Sequence, residues 1–125
     1  MRASPAHVVA LSAVAIAAAL HVYEQLAKSS APSVGWFLWS MLPYALCLIV
    51  LLRSRSGVPA ALGAGVALAL DLFAHYDVFV HPTGSTAALA LIFVPLWSAL
   101  IFAPVAMLVA WLFVRRRVKG EQHAA

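Results

Sequence analysis

Charged residues are scarce in this chain. Lys and Arg number 8 and Asp and Glu number 4 among 125 residues, or 10% of the sequence, whereas soluble domains have about 25%. Apolar residues make up 65% of the chain, so too little polar surface remains to cover a soluble core. The composition therefore excludes an ordinary soluble domain and predicts a membrane protein.

Other absences narrow the function. A single cysteine, Cys47, excludes an intramolecular disulfide. No basic stretch is interleaved with aromatic residues, so the net charge of +4 does not indicate nucleic-acid binding. The chain has no phosphate-binding loop and no nucleophile beside a base in a recognisable arrangement. We therefore predict that the protein is not an enzyme.

Four segments are long and apolar enough to cross a bilayer, which takes about 20 residues in helical form. We predict these spans at about 6–26, 35–52, 58–80 and 86–114, with short connections between them. Short connections make sequential helices antiparallel neighbours. The expected fold is all-α, a single domain over residues 1–125 built as a bundle of four transmembrane helices with up-down-up-down connectivity.

Lys and Arg predict how this bundle is oriented. Seven of the eight fall on one side of the predicted bundle: Arg2, Arg53, Arg55, Arg115, Arg116, Arg117 and Lys119. Only Lys28 falls on the other side. Cytoplasmic loops carry such an excess of positive charge, so we expect a multi-pass protein of the cell inner membrane with both termini in the cytoplasm. The first span is too long for the apolar stretch of a signal peptide, which has about 7–15 residues, and is expected to be retained.

The C-terminal part of the chain predicts two further features. Pro95 and Pro104 each remove a backbone donor from the fourth span, so we expect bends there. Residues 115–125 are expected to form a short basic cytoplasmic tail that is disordered after Arg117.

Polar residues continue two stripes of small residues. In the first span Ala10, Ala13 and Ala17 lead to His21 and Glu24, and in the third span Ala60, Ala64 and Ala67 lead to Asp71 and His75. Small residues mark close contact between helices in a membrane, and charged groups there rarely face lipid. The polar residues are therefore expected to point into the bundle.

The heights of these residues predict which of them pair. With a rise of about 1.5 Å per residue, His21 lies about 22 Å and Asp71 about 21 Å from the inner end, and both Glu24 and His75 lie at about 27 Å. We expect His21 to pair with Asp71 and Glu24 with His75, across the centre of a bundle in which the first and third helices sit diagonally. Asp77 and His81 lie near the outer surface on another face and are assigned no chemistry.

Two residues of the second span lie on one face and can donate hydrogen bonds to this cluster. They are Ser40 and Tyr44. For Tyr44, packing is the favoured role.

Three interpretations of the cluster stay open. Two His–carboxylate pairs can simply hold the helices together. Alternatively, the imidazole nitrogens and carboxylate oxygens form an outward-facing site for a divalent metal ion or a proton, since zinc takes such ligands and histidine titrates near neutral pH. A haem between His21 and His75 is disfavoured because their heights differ by about 5 Å. No named metal motif occurs, so the identity of a metal is unknown.

Two classes of function follow. The expected function is an accessory or interaction subunit of a membrane complex, including an immunity role against a pore-forming toxin, because the loops are tiny and no catalytic motif is present. The alternative is a small transporter or a cation- or proton-binding membrane protein that uses His21, Glu24, Asp71 and His75. The expected partners are the lipid bilayer and either another membrane protein or further copies of this chain.

Overall fold

Helices make up nearly all of the chain that the structure, a computed structural model, describes. The description covers residues 3–82 and 84–124, so Arg2 of the charge pattern and Thr83 of the third turn lie outside the described residues, as do Met1 and Ala125. No strand occurs within the described ranges. The helices are α1 (Pro5–Lys28), α2 (Val34–Ser40), α3 (Leu42–Arg53), α4 (Val58–Val80) and α5 (Ala87–Ala124).

Three of these helices are long and apolar enough to cross a membrane. They are α1, α4 and α5, and α2 and α3 together would make a fourth span. The prediction of an all-helical fold with helices long and apolar enough to span a membrane is therefore confirmed over the described residues.

The second predicted span is not one continuous helix. Its two parts, α2 and α3, meet at Met41 with a bend of 55°. Pro43 explains the break, because proline has no N–H and its ring clashes with the carbonyl four residues earlier, that of Trp39. The Trp39 indole N–H donates to the backbone carbonyl of Ile92 at 3.1 Å. This bond links the bent region to α5. The prediction of one continuous helix over 35–52 is wrong.

The prediction of a disordered tail is also wrong within the described residues, because α5 continues as a helix to Ala124. Arg, Lys, Gln and Glu are good helix formers, so the polar composition of the tail does not oppose helix formation. The Arg115 guanidinium also lies 5.1 Å from the ring centroid of Trp111, one turn earlier. Such a cation–π contact stabilises the helix where it leaves the apolar segment.

Within the described residues, three helical turns have π geometry, which is rare and is frequently found at functional sites. One ends α1 at Glu24–Lys28, and another ends α4 at Tyr76–Val80. The third, Ser98–Phe102, lies within α5 between Pro95 and Pro104. The two prolines for which bends are predicted therefore flank a wider turn of the helix.

Glycine is required where α4 begins. Gly57 has a φ of 67°, in the left-handed region that favours glycine. A Cβ added there would lie 2.7 Å from Nδ1 of His7, near the start of α1. The first turns of α1 and α4 are thus side by side.

Three levels of buried side chains, most of them alanine, fill the interior. Level one contains Ala10, Leu51 and Ala60; level two contains Ala13, Cys47, Ala64, Ala103 and Met107; level three contains Ala17, Tyr44 and Ala67. Residues of α1 and α4 enter these levels in the same order, whereas those of α3 enter in reverse order. Levels one to three therefore lead from the arginine end of the bundle, which carries Arg53, Arg55 and residues 115–117, towards the other end.

The central helix is α4, which packs against α1, α3 and α5. The alanine stripes of α1 and α4 face each other, and Ala17 and Ala67 are fully buried. Because small residues let two backbones approach closely, α1 and α4 are adjacent. The diagonal arrangement predicted for the first and third spans is therefore wrong.

Candidate functional site

Beyond level three, five polar side chains form one continuous set of hydrogen bonds. His21 Nε2 lies 3.1 Å from Asp71 Oδ2, and His21 Nδ1 lies 3.0 Å from Glu24 Oε2. His75 Nδ1 lies 2.7 Å from the other Glu24 oxygen, Oε1. The Tyr44 hydroxyl donates to Asp71 Oδ2. We call this set, in the order Tyr44, Asp71, His21, Glu24 and His75, the polar chain.

Both predicted pairs, His21 with Asp71 and Glu24 with His75, are present in this arrangement. The bond between His21 and Glu24 joins the two pairs into one chain and was not predicted. Tyr44 does more than pack, contrary to the favoured role, because its hydroxyl bonds to Asp71. The structure thus brings all four candidate site residues into direct contact and adds Tyr44 to them.

Helical spacing positions these groups. In α1 the buried residues fall at Ala10, Ala13, Ala17, His21 and Glu24, steps of three and four that keep one face towards α4. The polar groups continue the face that the small residues begin. His21, Glu24 and Asp71 are only 6%, 8% and 4% exposed. Burial of this kind is costly for polar groups unless they are hydrogen-bonded, as they are here.

The two bonds of His21 determine how many protons the site holds. Both ring nitrogens face carboxylate oxygens, and each bond needs one hydrogen. A neutral imidazole has one N–H and an ionised carboxylate has none. Either His21 is an imidazolium, or one of the two carboxyl groups is protonated. With one hydrogen in each bond, the site holds one proton more than neutral histidines with ionised carboxylates would supply.

The polar chain reaches a cleft at the end of the bundle opposite the arginines. The cleft has a volume of about 520 Å³ and is lined by Glu24, Gln25, Lys28, Ser29, Ser30, Ala31, Ser33, Gly35, Trp36, Phe79 and Leu91. Gln25 Oε1 accepts a hydrogen bond from the backbone N–H of Ser33 at 2.9 Å. This bond holds the connecting loop 29–33 as a wall of the cleft.

A much smaller cavity lies deeper, beside the polar chain. Its volume is about 10 Å³, and its lining includes His21, Glu24, Asp71 and Ser40. That volume is close to the room one water molecule needs, and the lining offers the polar partners that a buried water requires. Ser40, which was predicted to support the cluster, is buried and borders this cavity.

Towards the arginine end, the interior is closed by close packing. Ala17, Tyr44 and Ala67 of level three are fully buried, as are Ala64 and Ala103 of level two. The polar chain therefore borders the cleft at one end, and small apolar side chains separate it from the arginine end.

Asp77 and His81, near the cleft end of α4, are not members of the polar chain. The ring of His81 stacks on that of Tyr76, with centroids 6.2 Å apart and planes inclined by 4°. Within residues 3–82 and 84–124, no group of three or more His, Cys, Asp or Glu side chains is arranged to hold a metal ion. In the polar chain, both nitrogens of His21 and both oxygens of Glu24 are hydrogen-bonded to other members of the chain.

Sequence reasoning missed the cleft and one buried hydroxyl. The cleft depends on how loop 29–33 folds back onto α1, and no sequence motif encodes that contact. Ser98, in the π-helical turn of α5, is fully buried, and its hydroxyl has no hydrogen-bond partner within the described residues. A serine inside an apolar span was the only signal that could have singled it out.

Comparisons of the chain with protein-family models, with curated proteins and with solved structures find no match. The function is therefore argued from the geometry of the polar chain and the cleft.

Proposed function

We propose that the protein is a four-span protein of the inner membrane, with α2 and α3 together forming the second span and both termini in the cytoplasm. The excess of Lys and Arg at the arginine end supports this orientation. The reversed order in which α3 enters levels one to three supports alternating helix directions. In this orientation the cleft opens on the outer side, and the polar chain lies in the outer part of the bilayer.

We propose further that the polar chain binds a proton and exchanges it with the outer side, as the proton site of a small transporter. The observation that carries this proposal is the pair of bonds from both ring nitrogens of His21 to carboxylate oxygens. Together these bonds hold one extra proton. Histidine and carboxyl side chains can both take up and release protons, and we propose that this proton is the one the site exchanges.

Loss of this proton changes the geometry of the site. A deprotonated His21 nitrogen would direct a lone pair at a carboxylate oxygen, and the two would repel. One of the two bonds must then open. Glu24 is the member of the polar chain that borders the cleft, and it lies in a π-helical turn at the end of α1. Its displacement would couple the protonation state of the site to the shape of the cleft.

Infrared difference spectroscopy on the full-length protein in lipid nanodiscs tests this proposal. Spectra recorded in mildly acidic and mildly alkaline buffer should show bands of an imidazole or carboxyl group that gains a proton. We expect Glu24→Gln and Asp71→Asn each to abolish these bands, because each replaces a carboxylate that stabilises the shared proton with a neutral amide that cannot titrate. His123→Gln, a change in the exposed tail, should leave them intact.

A spectrum of the wild-type protein without bands from the polar chain would overturn the proton-exchange proposal. The polar chain would then be a static structural feature.

A specific observation favours a second function, that of an accessory subunit of a membrane complex. The buried side chains of levels two and three lie between the polar chain and the arginine end. A protein of this kind can bind another membrane protein through its apolar exterior, with the polar chain pinning α1 to α4.

Gentle solubilisation of a tagged chain from its native membrane tests this function. A single stoichiometric membrane partner would support it, and recovery of the chain alone or as a homo-oligomer would count against it.

A further inference from the structure

The cleft combines one acidic group, one basic group and an apolar wall. Glu24 and Lys28 both line it, at the two ends of the same π-helical turn. Lys28 is exposed, and its ammonium forms no ion pair within the part of the chain that the structure describes. The formal charges that these two residues bring to the cleft cancel. A lone cation would be repelled by Lys28, and a lone anion would be repelled by Glu24.

The carboxylate of Glu24 still has capacity for a ligand. Each of its oxygens accepts one bond from a histidine, from His21 at 3.0 Å and from His75 at 2.7 Å. A carboxylate oxygen has two lone-pair sites, so an ammonium group in the cleft can donate a further bond. The hydroxyls of Ser29, Ser30 and Ser33 lie in the same lining as Lys28 and add donors for an acidic group.

The remaining lining suits an apolar substituent. Trp36, Phe79 and Leu91 are partly buried residues of the cleft. The ring of Phe79 also packs against His75, with centroids 5.1 Å apart. This contact links the apolar wall directly to the polar chain. A volume of about 520 Å³ lies within the usual range of small-molecule sites, about 300–1,000 Å³.

We propose that the cleft binds a small zwitterion, with its ammonium at Glu24, its acidic group at Lys28 and the neighbouring serines, and its apolar part against Trp36, Phe79 and Leu91. This inference rests on the proposed function, because the ammonium and the shared proton interact with the same carboxylate. Two sources have this chemistry. One is a free amino acid with an apolar side chain, and the other is the headgroup of an ethanolamine phospholipid.

Fluorescence titration of the full-length protein in phosphatidylglycerol nanodiscs tests the proposal, since Trp36 lies in the cleft. The probes are L-leucine, isoamylamine, which lacks the carboxylate, and isocaproate, which lacks the amine. We expect saturable binding of leucine and binding at least about tenfold weaker for either single-charge analogue, which corresponds to about 1.4 kcal/mol. O-phosphoethanolamine and nanodiscs containing phosphatidylethanolamine test the lipid source by competition with leucine.

Variants of the two lysines make the test specific. Lys28→Gln should weaken leucine binding by about tenfold or more and leave isoamylamine binding unchanged, because only the acidic group loses its partner. Lys119→Gln, the matched change in the exposed tail, should have no effect. Trp36→Phe should remove the fluorescence response without removing binding measured by calorimetry. Lys28 is exposed, so its variant is expected to fold normally.

The outcomes separate this inference from the proposed function. Competition by phosphoethanolamine or by the lipid would support the headgroup source, and binding of leucine alone would support the free amino acid. Isoamylamine binding as tight as that of leucine would overturn the zwitterion inference, as would the absence of saturable binding of both leucine and phosphoethanolamine. Infrared spectra of the same samples would then show whether the proton site exists in a protein that has no zwitterion site. Leucine binding in a protein that lacks those bands would overturn the proton site and leave the zwitterion site in place.

Discussion

The two halves of the interior use the same helices in different ways. On the arginine side, α1 and α4 meet through buried alanines. On the cleft side, the same faces present His21, Glu24, Asp71 and His75, which meet through hydrogen bonds and border a cleft and a water-sized cavity. One helical register thus supplies an apolar half that sets the helix separation and a polar half built from ionisable groups.

The largest effect is expected from a change in the polar half that preserves its shape. Asp71→Asn keeps an oxygen for the Tyr44 hydroxyl but cannot exchange a proton, so proton exchange and any transport coupled to it should be abolished. Measured proton uptake on acidification of the purified protein should fall, while circular dichroism shows unchanged helix content. Asp77→Asn, the same substitution outside the polar chain, is the control. A fully active Asp71→Asn variant would make the polar chain structural at most.

A change in the small-residue half should affect stability instead. Ala67→Leu inserts a large side chain where Ala67 is fully buried against Ala17 and Tyr44. Such overpacking costs about 1–3 kcal/mol, which thermal unfolding in detergent should detect. Ala69→Leu on the same helix is the control, since Ala69 is exposed. Equal stability of the two variants would contradict the close contact of α1 with α4.

Removal of one hydrogen bond from the polar half should cost less than overpacking. Tyr44→Phe keeps the fully buried ring and deletes only the hydroxyl that donates to Asp71. Hydrogen bonds between membrane helices contribute about 0.6 kcal/mol on average and about 1.7 at most. The same unfolding assay should therefore show that Tyr44→Phe lowers the free energy of unfolding by no more than about 1.7 kcal/mol. A loss larger than that of Ala67→Leu would mean that hydrogen bonds, rather than packing, hold the helices together.

The smallest effect is expected outside both halves, at the bend between α2 and α3. Trp39→Phe removes the indole donor to the Ile92 carbonyl, a partly exposed bond worth about 0.5 kcal/mol. A double-mutant cycle with a polar-half variant such as Tyr44→Phe should give additive losses. Strong coupling would indicate that the bend positions the polar chain.

Sequence reasoning succeeded where periodicity and burial cost act within a single helix. The spacing of small and polar residues in the first and third spans, together with the rise of a helix, predicted both His–carboxylate pairs at the correct heights. It failed where a long-range contact decides the outcome. The bend at Pro43 was missed for a different reason: proline acts locally, but membrane helices often accommodate it, and the pattern of the second span does not show which outcome occurs.

Dependence on contacts between distant segments also explains two other wrong predictions, the diagonal placement of α1 and α4 and the packing role of Tyr44. The position of α1 next to α4, rather than across the bundle from it, depends on which small-residue faces meet. Several arrangements of four helices are compatible with one sequence pattern. The role of Tyr44 as a donor to Asp71 follows from that arrangement, because its hydroxyl reaches the polar chain only when α3 packs against α4.

By itself, the sequence determined that this protein is helical, that its helices are apolar enough to span a membrane, and that four ionisable residues recur on small-residue faces. These properties depend on composition and on the helical repeat, both of which are local. The tertiary structure alone decided that His21 contacts two carboxylates at once and that loop 29–33 closes a cleft over Glu24. The first depends on the distance between α1 and α4, which are far apart in the chain, and the second on how the loop folds back onto α1, and packing determines both.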